Sequence, residues 1–155
     1  MKFDVKIKQD IKELDKLIAN FKDIKIVNVG IIGGEQQDGI PTASIGMVQE
    51  FGSVVNNISK RSFIKEPLLA HLSEKIERQK EKLKQYLFID KRLDEAYNLI
   101  GNTAVLIIIQ SFRNKNDGQW KPNAPSTIKK KSKNNPLIDT GRLRQSITFE
   151  LIDKK

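Results

Sequence analysis

Six consecutive apolar residues, Ala104-Val-Leu-Ile-Ile-Ile109, interrupt a segment that otherwise reads as an amphipathic helix. Over 91–112, Leu93, Tyr97, Ile100, Ala104, Ile107 and Ser111 recur at helical spacing on one face. In the second half, Val105, Leu106, Ile108 and Ile109 make the surface apolar all round. A helix apolar on every side is buried on every side, so this segment belongs at the centre of the domain or in a subunit interface. The run is β-branched, which makes a buried strand the competing reading. It is far too short to cross a membrane, which takes about 20 apolar residues.

The rest of the chain has to supply what covers that segment. Residues 2–8 alternate with period two, as a short strand does, and Ile11, Leu14, Ile18 and Phe21 mark a helix over 10–21. Residues 24–32 are β-branched and roughly alternating, which predicts a strand ended by Gly33-Gly34. A polar loop over 35–41 follows. Thr42 is placed to cap a helix over 43–51, with Gly52 as its stop. After a second loop, 53–62, Leu69, Leu72, Ile76, Leu83 and Leu87 form the stripe of a long helix over 64–87. Asp90 is the expected cap of the helix over 91–112. Residues 113–136, rich in Asn, Gly, Pro and Lys, read as a long basic loop, and 146–152 alternate as a closing strand. At 155 residues, with neither a repeat nor a composition break, residues 1–155 make one domain. The fold class expected is α+β: a small antiparallel sheet, from the strands near 24–32 and 146–152, with two long helices packed on one face plus long loops.

Little in the chain can do covalent chemistry. There is no cysteine, which excludes disulfides, thiolate metal sites and a Cys nucleophile. His71 is the single histidine, so a zinc site lacks ligands and a Ser nucleophile lacks an evident base. Gly30-Ile-Ile-Gly33-Gly34 follows a strand but has neither the dinucleotide nor the P-loop spacing. Helical carboxylate pairs such as Asp94-Glu95 lie among Lys and Arg as solvated faces do. The expectation is no enzyme, with no catalytic residue, cofactor or metal. The segment 1–10 lacks the apolar core of a signal peptide.

The net charge is +9 and it is uneven. Residues 113–133 carry seven positive side chains against the single Asp117. Such a cluster suits nucleic acid or an acidic protein surface, while a solvated basic loop is the plain alternative. Lys129, Lys130, Lys131 and Lys133 are the candidate phosphate contacts, and Trp120 just before them is placed to stack on a base. No helix-turn-helix or ribonucleoprotein pattern accompanies them, so contact with DNA would be independent of sequence.

Three segments carry more than composition. They are Ala43-Ser-Ile-Gly-Met-Val-Gln-Glu50-Phe51-Gly52-Ser53 with Lys60-Arg61-Ser62-Phe63-Ile64, then Trp120-Lys-Pro-Asn-Ala-Pro-Ser-Thr127, then Leu137-Ile-Asp-Thr140-Gly141-Arg-Leu143-Arg-Gln-Ser146-Ile147. Together they resemble the virion morphogenesis and tail completion proteins of tailed bacteriophages, with Mu-like and lambda-like relatives. That family carries a Glu-Phe-Gly-Thr stretch and a Trp…Thr…Lys segment leading into Leu-x-x-Thr-Gly-x-Leu-x-x-Ser-Ile. The chain departs from it in order, since Glu-Phe-Gly here precedes Thr-Gly where Mu-like relatives have it following. It departs also at Gln49 for His, Ser53 for Thr and Lys60 for Pro. The resemblance implies a structural part at the neck or tail of a virion, assembled in the host cytoplasm. Its implied partners are a connector or stopper, a tail terminator or the tail tube, and further copies in a ring around a conduit for DNA. No membrane partner is implied.

The motif residues have physical roles in this reading. Thr140 caps a helical turn, Gly141 allows a tight bend, Leu143 and Ile147 point inward, and Glu50 forms a charge-assisted pair with Arg61 that ties two loops together. Trp120 pins one end of the basic loop to the core. Phe51 and Trp120 are the candidates for docking a neighbour, and the loops 35–41, 53–62 and 113–136 are the expected contact surfaces.

Overall fold

The computed structural model describes residues 24–32, 36–37, 39–131, 135–138 and 141–154. The strand expected at 2–8, the helix expected at 10–21, Thr140 and Lys133 lie outside the described residues.

The chain is α+β. Strands β1 (Lys25–Ile31) and β4 (Ile147–Asp153) pair antiparallel along their whole length, from Lys25 opposite Asp153 to Ile31 opposite Ile147. Between them in sequence, β2 (Gln36–Gln37) and β3 (Ile40–Pro41) make a miniature hairpin where a plain loop is expected. Alternation puts Val27, Val29 and Ile31 with Leu151, Phe149 and Ile147 on one face of the ribbon. On the other, the Asn28 amide donates to Glu150 Oε1 at 2.9 Å. A two-stranded ribbon is marginal in isolation and needs a helix on its apolar face.

That helix is α4 (Leu93–Asn114, in chain order after the helices given below), which lies on both strands. The apolar hexad is therefore helical, and the strand reading of it does not hold, because it continues an unbroken helix of 22 residues. Gly101 permits close approach: a Cβ there would run into the Phe149 ring. The backbone N–H of Lys25 donates to Tyr97 Oη at 3.1 Å, fastening the sheet edge to the helix. The hexad is not enclosed on every side, however. Ala104, Ile107 and Ile108 are buried, whereas Leu106 is 64% exposed. The sheet and the helix over Lys65–Arg78 cover only part of the circumference.

Helix α1 (Thr42–Phe51) follows Pro41, whose extended backbone makes it the cap; Thr42 is already inside the first turn and is buried, so it does not cap the helix. Helix α2 (Lys65–Arg78) packs chiefly on α4. The helix expected over 64–87 is interrupted at Gln79, resumes as α3 (Lys80–Lys84), and loosens into a π-turn over Gln85–Ile89. Asp90 does not cap the next helix, because its amide closes that π-turn on Gln85 O at 2.9 Å, and α4 starts from Arg92.

Most of the described residues in the segment expected as one long loop belong to helices or a hydrogen-bonded turn. Lys115, Asn116, Asp117 and Gly118 all have φ between 51° and 81°, one left-handed turn that reverses the chain after α4. Non-glycine residues adopt that conformation only when held, and here several bonds hold it. Asn116 N–H donates to Ser111 O at 3.0 Å, the Asn114 amide donates to Asp117 Oδ1 at 2.7 Å, and the imidazole of His71 pairs with Asp117 Oδ2 at 2.9 Å. Helix α5 (Pro125–Lys131) then begins with a proline, which suits a first turn because its missing N–H is not needed there. The short α6 (Arg142–Gln145) leads into β4.

The turn delivers Trp120 to the core. Phe63, Ile108, Phe112, Trp120 and Ile147 form one buried cluster, with Val29, Ile31, Leu137 and Leu143 packed around it. Phe63 and Phe112 sit 5.2 Å apart and tilted, and Trp120 meets Phe112 edge-on at 5.9 Å, both favourable ring geometries.

Candidate functional site

The residues singled out in sequence converge on one end of the domain, around the C-terminus of α1. Glu50, in the last turn of α1, is buried. Its carboxylate accepts four hydrogen bonds: from Ser62 Oγ at 2.6 Å, Phe63 N at 2.7 Å, and Ile64 N and Lys65 N at 3.0 Å each. The three backbone donors are free amides at the start of α2, whose own cap residue, Ile64, supplies no side-chain bond. A carboxylate here satisfies the amides and sits favourably on the helix dipole. Ser62 adds a second link by accepting from Glu66 N at 3.1 Å.

The expected Glu50–Arg61 pair does not form. Glu50 is committed to the helix start, and Arg61 points the other way, its Nε donating to Lys121 O and its Nη2 to Pro122 O, both at 3.1 Å. Arg61 still ties two loops together, but through neutral carbonyls. Burial, with no carboxylate to offset it, pushes its guanidinium down from the ordinary value. Trp120 bonds the same knot from a third direction: its indole N–H donates to Ser62 O at 3.1 Å. At 6% exposure the ring faces Phe112 and not solvent, so it is presented neither to a base nor to a neighbouring subunit.

Phe51, one residue after Glu50, is 68% exposed. Gly52 then turns with φ 78°, and a Cβ there would meet Lys60 N at 2.8 Å, so the position needs glycine. Ser53 and Ile58 close a tight loop, with Ser53 N to Ile58 O at 2.9 Å and Ile58 N to Ser53 O at 2.8 Å. At its tip, Val54 and Val55 are 100% and 95% exposed. With Met47, one turn before Phe51 on α1 and also exposed, they make an apolar knob. Val54 and Val55 carry no motif; two adjacent valines inside a polar loop were the available signal.

The remaining motif residues lie close by. Gly141, with φ 83°, starts α6, Leu143 packs against the core, and Ser146 Oγ donates to Leu143 O at 2.9 Å. Arg61, Thr127, Gly141 and Leu143 line a common cleft. Phe63 is wholly inside the core. Lys129, Lys130 and Lys131 fall on α5. Among the described residues there is no cluster of His, Cys, Asp and Glu suited to a metal, and no helix long and apolar enough to cross a membrane.

No family model matches the chain, and comparison with curated proteins and with solved structures finds no match either.

Proposed function

We propose that the chain is a structural component of a tailed-phage virion, acting in tail completion or head–tail joining, and that it works by contact and not by catalysis. The three motif segments support this reading through their resemblance to that family. One observation carries it furthest: within Glu-Phe-Gly, Glu50 is consumed in folding, while Phe51 is left in solvent beside Met47, Val54 and Val55. Four exposed apolar side chains within nine residues are what an interface offers. In a ring such a knob would meet a different surface of the next copy, since ring interfaces join head to tail.

The test is the mass of the purified protein in solution, alone and mixed with the tail-tube and connector proteins of its own genome. A ring, or a stable complex with one of them, is expected, and Phe51→Asp with Val54→Asp should abolish it without unfolding the domain. A strict monomer that binds none of them overturns the proposal. Neighbouring portal, capsid and tail-tube genes would support it independently. The alternative of a nucleic-acid module built on the basic stretch 113–133 loses its stacking residue with Trp120 buried, and keeps its basic side chains, Lys129, Lys130 and Lys131 on α5 among them.

A further inference from the structure

Beside the knob, a cleft of about 640 Å³ opens between α1, the residues that follow the 53–58 loop, the segment joining Trp120 to α5, and the start of α6. Ile45, Ile58 and Leu143 give it apolar walls, and Arg61, Lys121 and Arg142 give it three positive side chains. Among the described residues, no Asp or Glu lines it.

Arg61 is the informative member. A guanidinium has five N–H donors. Its bonds to Lys121 O and Pro122 O use one on Nε and one on Nη2. Both N–H groups of Nη1 and the second of Nη2 stay available, and together they form the end of the fork that grips a carboxylate with two parallel bonds. The two carbonyls hold the fork in place, so little side-chain freedom is lost on binding. Gln49 also lines the cleft, although its Oε1 is buried below the surface and has no hydrogen-bond partner.

We infer that this cleft binds an acidic polypeptide segment, with an Asp or Glu carboxylate on the free end of Arg61 and an adjacent apolar side chain against Ile45 and Leu143. Lys121 raises the local positive potential that draws the segment in. The apolar walls favour polypeptide over a phosphodiester backbone, which brings charged and polar oxygens but no apolar side chain to lie against Ile45 and Leu143. The volume lies within the range of about 300–1,000 Å³ usual for sites that enclose a small group. The inference stands apart from the virion reading, since an acidic segment could come from any partner.

The probe is N-acetyl-leucyl-glutamate amide, titrated into the whole ¹⁵N-labelled chain with N-acetyl-leucyl-glutamine amide as control. The glutamate dipeptide should move the Arg61 Nε–H resonance and the amides of Asn57 and Leu143 saturably, and bind at least tenfold more tightly than the control. Arg61→Gln should weaken it at least tenfold, while the Trp120 indole resonance keeps its folded position. If that variant unfolds, Lys121→Gln, whose side chain leaves the core untouched, should still weaken binding several-fold. Equal binding of the two dipeptides, shifts confined to α5, or equal occupancy of the cleft by a thymidine dinucleotide would each overturn the inference. None of these results bears on whether the chain forms a ring or joins a tail.

Discussion

Glu50 caps a helix to which it does not belong: from the last turn of α1 its Oε2 accepts the Phe63 amide at 2.7 Å, just ahead of α2. The contact joins two segments 13 residues apart, and Phe51 and the 53–58 loop lie between the two points it ties together. Folding and presentation of the knob therefore depend on one carboxylate.

Glu50→Ala should destabilise the protein by roughly 3 kcal/mol or more, because it strands several buried donors that share a charged acceptor. Glu50→Gln should cost less than Ala but remain clearly destabilising, since its NH₂ turns a donor toward donors. Denaturant unfolding followed by tryptophan fluorescence reports both, as Trp120 bonds directly to Ser62 in the same knot. A Gln variant as stable as the parent would refute the charge-assisted role.

Trp120→Phe should lower stability by about 1–3 kcal/mol, the cost of leaving the Ser62 carbonyl without its buried donor and part of the core unfilled. Affinity for DNA, where measurable, should not change, because the indole does not reach solvent. Replacing Lys129, Lys130 and Lys131 by Ala should instead flatten any dependence of DNA binding on salt. Filter binding across a salt series separates the two variants.

Gly101→Ala should be destabilising by about 1–3 kcal/mol, although alanine is the better helix former, because overpacking against the Phe149 ring outweighs the gain in propensity. A melting temperature equal to or above the parent's would show that α4 and β4 can separate freely. No substitution of this kind is suggested by sequence, where Gly101 is one glycine within a helical pattern.

Lys60 donates to Glu66 Oε1 at 2.5 Å, and that bond, with the attraction of the same carboxylate, raises the Lys60 pKa above its ordinary value of 10.5. A raised folded-state pKa means the contribution is fully present below 10.5 and is lost as pH climbs through the folded value. The pair is in solvent, so the effect should be small. Comparing melting temperatures of the parent and Glu66→Gln from pH 8 to pH 12, the gap between them should close only at the alkaline end.

Much of the local structure was legible from periodicity. The strands at both ends of the described chain, the helix ending at Phe51 with its Gly52 stop, and the long helix carrying the apolar hexad all follow from the spacing of apolar side chains and from turn residues. The interruption at Gln79 and the helix from Pro125 were not legible: a leucine stripe can run across a break, and a Pro-, Asn- and Lys-rich stretch has the composition of a loop. The candidate site was legible as a set of residues but not as a set of contacts. Glu50 and Arg61 have opposite charges and lie in facing segments, which invites a pair. The start of α2 competes for the same carboxylate with several aligned amides, and it wins.

The sequence alone determined the class of fold, the absence of cysteine chemistry, the uneven positive charge and the identity of the three motif segments. These depend on side-chain type and spacing, which are local. Only the tertiary structure decided which side chains spend their chemistry on folding and which face outward: Glu50 and Trp120 are consumed inside, while Phe51, Val54 and Val55 are presented. It also decided that Arg61 keeps the free end of its guanidinium in a cleft. Burial and hydrogen-bond partnership are set by what packs from distant parts of the chain, and no spacing along one segment encodes them.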